Sequence, residues 1–530
     1  MRKPASLKGR ATPTGGRGRQ TSARAVITPT PRIPPIAAPL GMALVALLFA
    51  LWGLAHLRGY TYIVADWIGP DHPGHWSDYD EGVYVVSARL LNHGYTIFSQ
   101  VFSSQPPLFL AGLAVVLRLS GDAAGAGHLY SLICGLVALG GVAWLCWETL
   151  GRRSALLAVA LLAVSPGFVI ASRAVEAEAP MLALSSLSVA AAARYARTGG
   201  RGWLAGAGLA LAAATLSKLL AVSAVVPLAA AIGLCALDRG RAAPLRRLVP
   251  DLLLAAVCAG GPILASFALL SPSQQYDQVV RFHLKASAAQ GVANTSVNGA
   301  TFSTFFAYDP GLVGLVITGV AALVVARRPL PLLQVLWLLA TLLSMVSYHP
   351  LFIHHLTVLL PPMAAVAAAS VAFFEVPDLG RVRQIVLAAL LAAGVLAYLV
   401  WIPATVGRSG EAFQPDRDPV KAARVAWLRA NSRPGDLVVV DDQVLAVAAD
   451  RLVPPALSDT STVRALSGYL SVSHVERATA DPRVRAVLLT RTFKNQPMYR
   501  PYVRWLNRHF RRVHPRADLQ GLAYVRRYGP

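Results

Sequence analysis

Apolar residues come in runs along this chain instead of alternating with polar ones. Nearly uninterrupted apolar segments cover 37–57, 129–147, 155–171, 252–270, 311–326 and 385–402. At ~1.5 Å rise per residue, runs of this length match a hydrocarbon core of ~30 Å. The pattern predicts an α-helical polytopic membrane protein.

Short basic loops set the direction of threading, because Arg and Lys are retained on the cytoplasmic side. Gly151-Arg152-Arg153, the stretch 194–203, Arg327-Arg328 and the stretch 375–383 take the inner side, together with the basic N-terminus. Alternation from there gives about eleven spans. The segment 106–121 is too short to cross and reads as an interfacial or re-entrant helix on the outer side. Residues 203–237 fold back as a hairpin with its tip near Lys218. The loop 271–310, the rim 347–355 and everything after 402 fall outside. The run from 37 reads as an uncleaved anchor helix, since no small-residue cleavage site follows it.

Beyond 402 the periodicity changes. Segments 436–442, 484–490 and 522–527 read as short apolar strands. Residues 419–432 read as an amphipathic helix stopped by Arg433-Pro434-Gly435. Three parts are expected: a disordered basic cytoplasmic tail (1–36), a membrane domain (37–402) and a small extracytoplasmic α/β domain (403–530). The location implied is the inner (plasma) membrane.

Composition adds two exclusions. Only 14% of residues are charged, against about 25% in an ordinary soluble chain. The net charge of +23 would suit a nucleic-acid partner, yet eight Arg and Lys lie within the first 36 residues. Others sit in short inner loops, where orientation in the membrane accounts for them, so no nucleic-acid partner is expected. Cys134, Cys146, Cys235 and Cys258 fall inside apolar segments without metal-site spacing and read as small packing residues.

The threading sends the unusual charges to one side. Asp78, Asp80, Glu81, Arg173, Glu176, Glu178, Lys218, His349, His354 and His355 all face outward. Ionisable groups at membrane depth cost roughly 2.5–3.5 kcal/mol each on insertion scales and tend to mark a substrate path. Asp78, Asp80 and Glu81 open a segment of helical periodicity, where a carboxylate also serves as a cap. Three acids within four positions exceed that need. A base for an acceptor hydroxyl, with a neighbour that orients it or holds a metal ion, is the functional alternative. Arg173 with Glu176 and Glu178 reads either as an ion-pair cluster at a helix end or as a second acidic site. Lys218 stands alone between apolar stretches, so it either snorkels or binds an anion such as a phosphate. The histidines of 349–355 lack metal spacing and suit phosphate contact, proton donation or capping. Asp441-Asp442 follows a strand and reads as a turn.

Taken in order, "DEGVYVVSARLLNHG", "QPPLFL", "SRAVEAEAPM" and "LSKLLAVSAVVP" resemble the membrane glycosyltransferases of the GT-C fold. The likeness is to bacterial relatives of the protein O-mannosyltransferases and of the lipid A aminoarabinose transferase. It spans about 75–230 by motif, and 1–402 by layout. The resemblance implies a polyprenyl-phosphate-linked sugar as donor and work on the extracytoplasmic face. It makes Asp80 the general base with Glu81 its partner, puts Glu178, with Glu176 beside it, at the second acidic site with Arg173 just before it, and assigns Lys218, with Arg173, to the donor phosphate. His349 and His355 resemble the family's late basic cluster more loosely. Gln105 stands where many relatives carry Lys or His.

The function expected is an inverting transfer of a sugar to a hydroxyl on an envelope glycan, lipid or protein. A divalent cation (Mg or Mn, at Asp80 and Glu81) is compatible but not required. The rivals are a transporter or flippase of a lipid-linked precursor, and a non-catalytic assembly protein that binds wall polymers. One-sided charge and the lack of internal repeats count against the transporter.

Overall fold

The computed structural model describes residues 79–122, 125–239, 244–289, 295–326, 329–372, 381–411, 418–490, 493, 498–513 and 518–527. The basic tail, the expected first span at 37–57 and Asp78 lie outside these residues.

Among the described residues, five helices are long and apolar enough to cross a bilayer: Gly125–Thr149, Leu219–Asp238, Leu245–Leu269, Ile353–Val371 and Gln384–Trp401. The pair Asn298–Tyr308 and Pro310–Val324, bent by 92°, makes a sixth if it is one broken span. The expected count of about eleven also took in segments that are shorter or interrupted. The expected crossing at 154–171 is divided into Arg152–Val164 and Pro166–Ala171, with proline opening the second piece. A proline removes a backbone donor and ends the preceding helix. Segment 106–121 forms a helix over Pro107–Leu119, too short to span alone.

The bundle packs through small side chains. Ala190 to Ala193 and Ala364 to Ala369 are buried in one continuous core with Phe168, Tyr195 and Trp337. Small residues let helix backbones approach where lipid gives no hydrophobic drive for association. The outer helices turn the opposite character outward: Leu253, Val257, Leu264 and Leu269 are exposed. Such a surface suits lipid, not water.

The C-terminal segment carries a four-stranded sheet in the order β1-β2-β4-β3, formed by Leu437–Val440, Val484–Leu489, Phe510–Arg512 and Leu522–Arg526. β1 pairs parallel with β2, and β4 runs antiparallel to both of its neighbours. Alternate residues of β1 serve two cores. Val438 and Val440 face one that includes Val85, Leu90, Leu110 and Leu445, while Leu437 and Val439 face Val475, Phe493 and Tyr502. This double burial explains why the strand reads as an unbroken apolar run. The helix Gln443–Ala448, which follows β1, packs against the helix Tyr79–Asn92, which carries the first acids.

That contact is made backbone to backbone. A Cβ placed on Gly82 would lie 2.3 Å from the Val444 amide nitrogen, at the start of the helix Gln443–Ala448. Main chain cannot yield as a flexible side chain does. We expect Gly82→Ala to destabilise the fold by at least the ~1–3 kcal/mol typical of overpacking, seen as a lower thermal unfolding midpoint in detergent. An unchanged midpoint would show that the two helices are not packed this closely.

Candidate active site

Asp80 and Glu81 lie in the first turn of the helix Tyr79–Asn92, where free backbone N–H groups and the helix dipole favour negative charge. Successive helical residues point about 100° apart, and the two acids part company. The Glu81 side chain is 0% exposed and lies 3.7 Å from His128 Nδ1. That ring nitrogen is also 2.8 Å from the Arg173 carbonyl oxygen. Asp80 keeps 36% of its side chain open, and its Oδ2 is 4.0 Å from His354 Nε2. From Tyr79 to Leu90 every residue except Asp80 is buried. The helix therefore presents one accessible functional group at this end.

His354 joins this acid to a second one. Its Nε2 also lies 4.0 Å from Glu178 Oε1. Glu178 opens the helix Glu178–Thr198, and its Oε1 accepts from the Lys218 ammonium in a buried pair. Lys218 occupies an extended residue (φ −155°, ψ 134°) between the helix Arg201–Ser217 and a 3₁₀ turn at Leu219–Ala224. The expected hairpin tip coincides with this junction between two helices. Irregular backbone at membrane depth persists where protein covers it, and Lys218 is only 3% exposed.

The histidines come from a 3₁₀ turn, Ile353–Leu359, held in part by Phe352 N donating to His355 Nδ1 at 3.3 Å. The His354 and His355 ring centroids are 4.4 Å apart, and the Tyr348 ring stands 5.0 Å from His355. Tyr348 hydroxyl approaches His283 Nδ1 at 3.5 Å. Burial, reinforced by the Lys218 charge, holds His283 below the ordinary imidazole pKa, so it is neutral at pH 7. Burial and the carboxylates Asp80, Glu178 and Glu176 push the Tyr84 hydroxyl well above its usual value.

A cavity of about 190 Å³ opens beside this cluster. Phe305, Phe306, Leu312, Val313, Leu360 and Met363 make its wall apolar, and Glu176, His354 and Asp309 provide polar lining.

The structure therefore brings together Asp80, Glu178, Lys218 and His355, with His354 at the junction. Glu81 and the Arg173 backbone meet one step deeper, at His128. His349 stands apart from this junction, its Nδ1 3.2 Å from the Asn298 amide nitrogen. Asp441 caps the end of β2, accepting from the Thr490 and Phe493 amides, in keeping with a turn residue.

Asp80 and Glu81 do not converge on a common ion, because one faces His354 and the other His128. Among the described residues, the donor set compact enough for a metal is Glu178, His354 and His355, with ligand atoms within 4.8 Å of one another. Two imidazoles and one carboxylate do not fit Mg, which favours oxygen. An ion there would also compete with the Lys218 ammonium for Glu178.

Two partners escaped the sequence reading. His354 was indistinguishable by pattern from its neighbour His355, and a third of a 3₁₀ turn decides which imidazole meets both acids. His128 sits in an apolar run 47 positions after Glu81, with no local signal to pair them.

Comparison with known proteins bears on the fold. Residues 104–261 match the family model for dolichyl-phosphate-mannose-protein mannosyltransferase. The matched stretch holds Gln105, Arg173, Glu176, Glu178 and Lys218, and ends short of Asp80, Glu81 and the histidines of 349–355. Among solved structures, ArnT from Cupriavidus metallidurans bound to undecaprenyl phosphate aligns with a TM-score of 0.58 at 14% identity, covering 92% of this chain and 98% of that chain. Its apo state aligns at 0.57, with the same identity and coverage. At such identity the likeness establishes the fold, and this chain is a multi-pass membrane protein with the GT-C glycosyltransferase fold. No curated protein sequence matches it significantly.

Proposed function

We propose that this protein transfers a sugar from a polyprenyl-phosphate donor to a hydroxyl acceptor on the extracytoplasmic face of the plasma membrane, with inversion at the sugar C1. The observation that carries the reading is the junction at His354. An accessible carboxylate and a buried Lys–Glu pair meet the same imidazole, at the edge of an apolar cavity. A lipid-linked sugar phosphate offers the matching chemistry: an apolar chain, a phosphate and an electrophilic carbon.

In this reading Asp80 takes the acceptor hydroxyl proton as the oxygen bonds to C1. The bond from C1 to the phosphate oxygen breaks, and its electron pair stays on the polyprenyl phosphate. Lys218 and Arg173 balance the charge that grows there, in a site largely shielded from water. His354 and His355 flank the phosphate, and His349 supports the outer rim. Glu178 holds Lys218 in place until the donor arrives. Glu81, fixed by His128, orients the first turn, and Glu176 hydrogen-bonds sugar hydroxyls at the cavity wall. A single displacement with one base gives inversion, unlike the two-step retaining route.

The direct test is transfer of label from a panel of undecaprenyl-phosphate [14C]pentoses and hexoses into an envelope acceptor fraction, by the purified protein in liposomes. Time-dependent transfer from at least one donor is expected. Inertness toward the whole panel, with undecaprenyl phosphate still bound, would leave the chain a binder or carrier of such lipids.

A further inference from the structure

Among the described residues, the C-terminal segment reaches the proposed site through Tyr79 and adds no lining side chain to the cavity. Tyr79 immediately precedes Asp80 and is buried. Its hydroxyl accepts from the Thr460 amide at 2.8 Å and lies 3.3 Å from Asp459 Oδ1 and 3.2 Å from Thr460 Oγ1. Asp459 is fixed in turn, since its Oδ1 also accepts from the Ser461 amide at 2.7 Å. Arg464 donates to the Asp459 carbonyl and, at 2.9 Å, to that of Ala456. Its guanidinium lies 4.0 Å over the Phe102 ring, so the loop that holds Tyr79 is itself fastened to the segment after the helix.

We infer that Tyr79 and Asp459 are positioning residues for Asp80: the loop 459–464 of the C-terminal segment grips the phenol and sets the angle at which the carboxylate meets the site. The inference rests on the sugar-transfer reading above. Its physical ground is the weakness of the place where Asp80 stands. The first turn of a helix lacks half of its backbone hydrogen bonds and frays first. A base must be held within a fraction of an ångström of the proton it removes, and a 1 Å displacement costs on the order of a hundredfold in rate. A phenol tied down one residue away supplies the missing constraint. Arg89 adds a second tie near the far end of the helix, 3.2 Å from Asp450 Oδ1, so the helix is held to the C-terminal segment at both ends.

The test compares wild type with Tyr79→Phe, Asp459→Ala and Asp459→Asn in liposomes, by transfer kinetics and by hydrogen exchange of residues 79–86. Tyr79→Phe removes one oxygen and keeps the ring. It should lower kcat roughly ten- to hundredfold, leave the donor KM and undecaprenyl-phosphate binding within about twofold, and speed exchange in the first turn alone. Asp459→Ala should behave likewise. Asp459→Asn keeps the Oδ1 acceptor and should recover most of kcat. Wild-type kcat in Tyr79→Phe overturns the inference. An equal rise of KM also overturns it, since that marks lost binding. Should wild type itself prove inert on every donor, the sugar-transfer reading falls, and the exchange data still decide the anchor: unchanged first-turn exchange in Tyr79→Phe overturns it.

Discussion

Asp80→Asn should leave a folded, membrane-inserted protein whose sugar transfer falls by roughly a hundred- to ten-thousandfold, the range a positioned general base supplies. The side chain is partly open and its salt-bridge partner is an imidazole 4.0 Å away, so the amide fits the same space with little effect on packing. Donor binding should persist, because the apolar cavity is untouched. Glu81→Gln makes a useful contrast. Its carboxylate is fully buried beside His128, so loss of that charge should lower stability before it lowers the rate. Activity of Asp80→Asn within threefold of wild type would remove Asp80 from the proposed chemistry.

Lys218→Met is expected to have the second large effect, and on two quantities at once. Glu178, 1% exposed, would be left with a buried charge that has lost its ammonium partner. Breaking one half of such a pair costs about 3–5 kcal/mol. The double variant Lys218→Met/Glu178→Gln removes both charges and should regain most of the melting temperature, since neutral isosteres fill the same space. Activity should not return with it, because Arg173 alone would be left to balance the charge on the departing phosphate. The gap between recovered stability and absent transfer separates the two roles of the lysine. A double variant that transfers sugar at the wild-type rate would reduce Lys218 to a structural ion pair.

Both experiments concern residues that the sequence singles out, and the reason is physical. In a chain this apolar, a charge at membrane depth stands out against its neighbours, as Lys218 does within "ATLSKLLAV". Helices over 129–147, 252–270 and 385–402 were legible from length and hydropathy alone, because the bilayer imposes both. The strands at 437–440, 484–489 and 522–526 were legible as short apolar runs, because both faces of β1 and β2 are covered. What stayed hidden depends on distant pairing. β3 is three residues long and reads Phe-Arg-Arg, and its hydrogen bonds to β4 give no local pattern. The meeting of Asp80 with His354, or of Tyr79 with Asp459, joins residues hundreds of positions apart. No spacing rule relates them.

The seat of Gly82 against Val444 bears on how the protein is made. The two halves of the Tyr79 anchor are 380 positions apart in the chain. At ~5–20 residues per second of synthesis, roughly 20–80 s pass between the emergence of one and the other. During that interval the helix Tyr79–Asn92, with its bare glycine notch, waits without its cover. A nascent chain cut short anywhere before Gln443 would therefore display this helix face uncovered, and protein quality control would have a defined apolar surface to recognise.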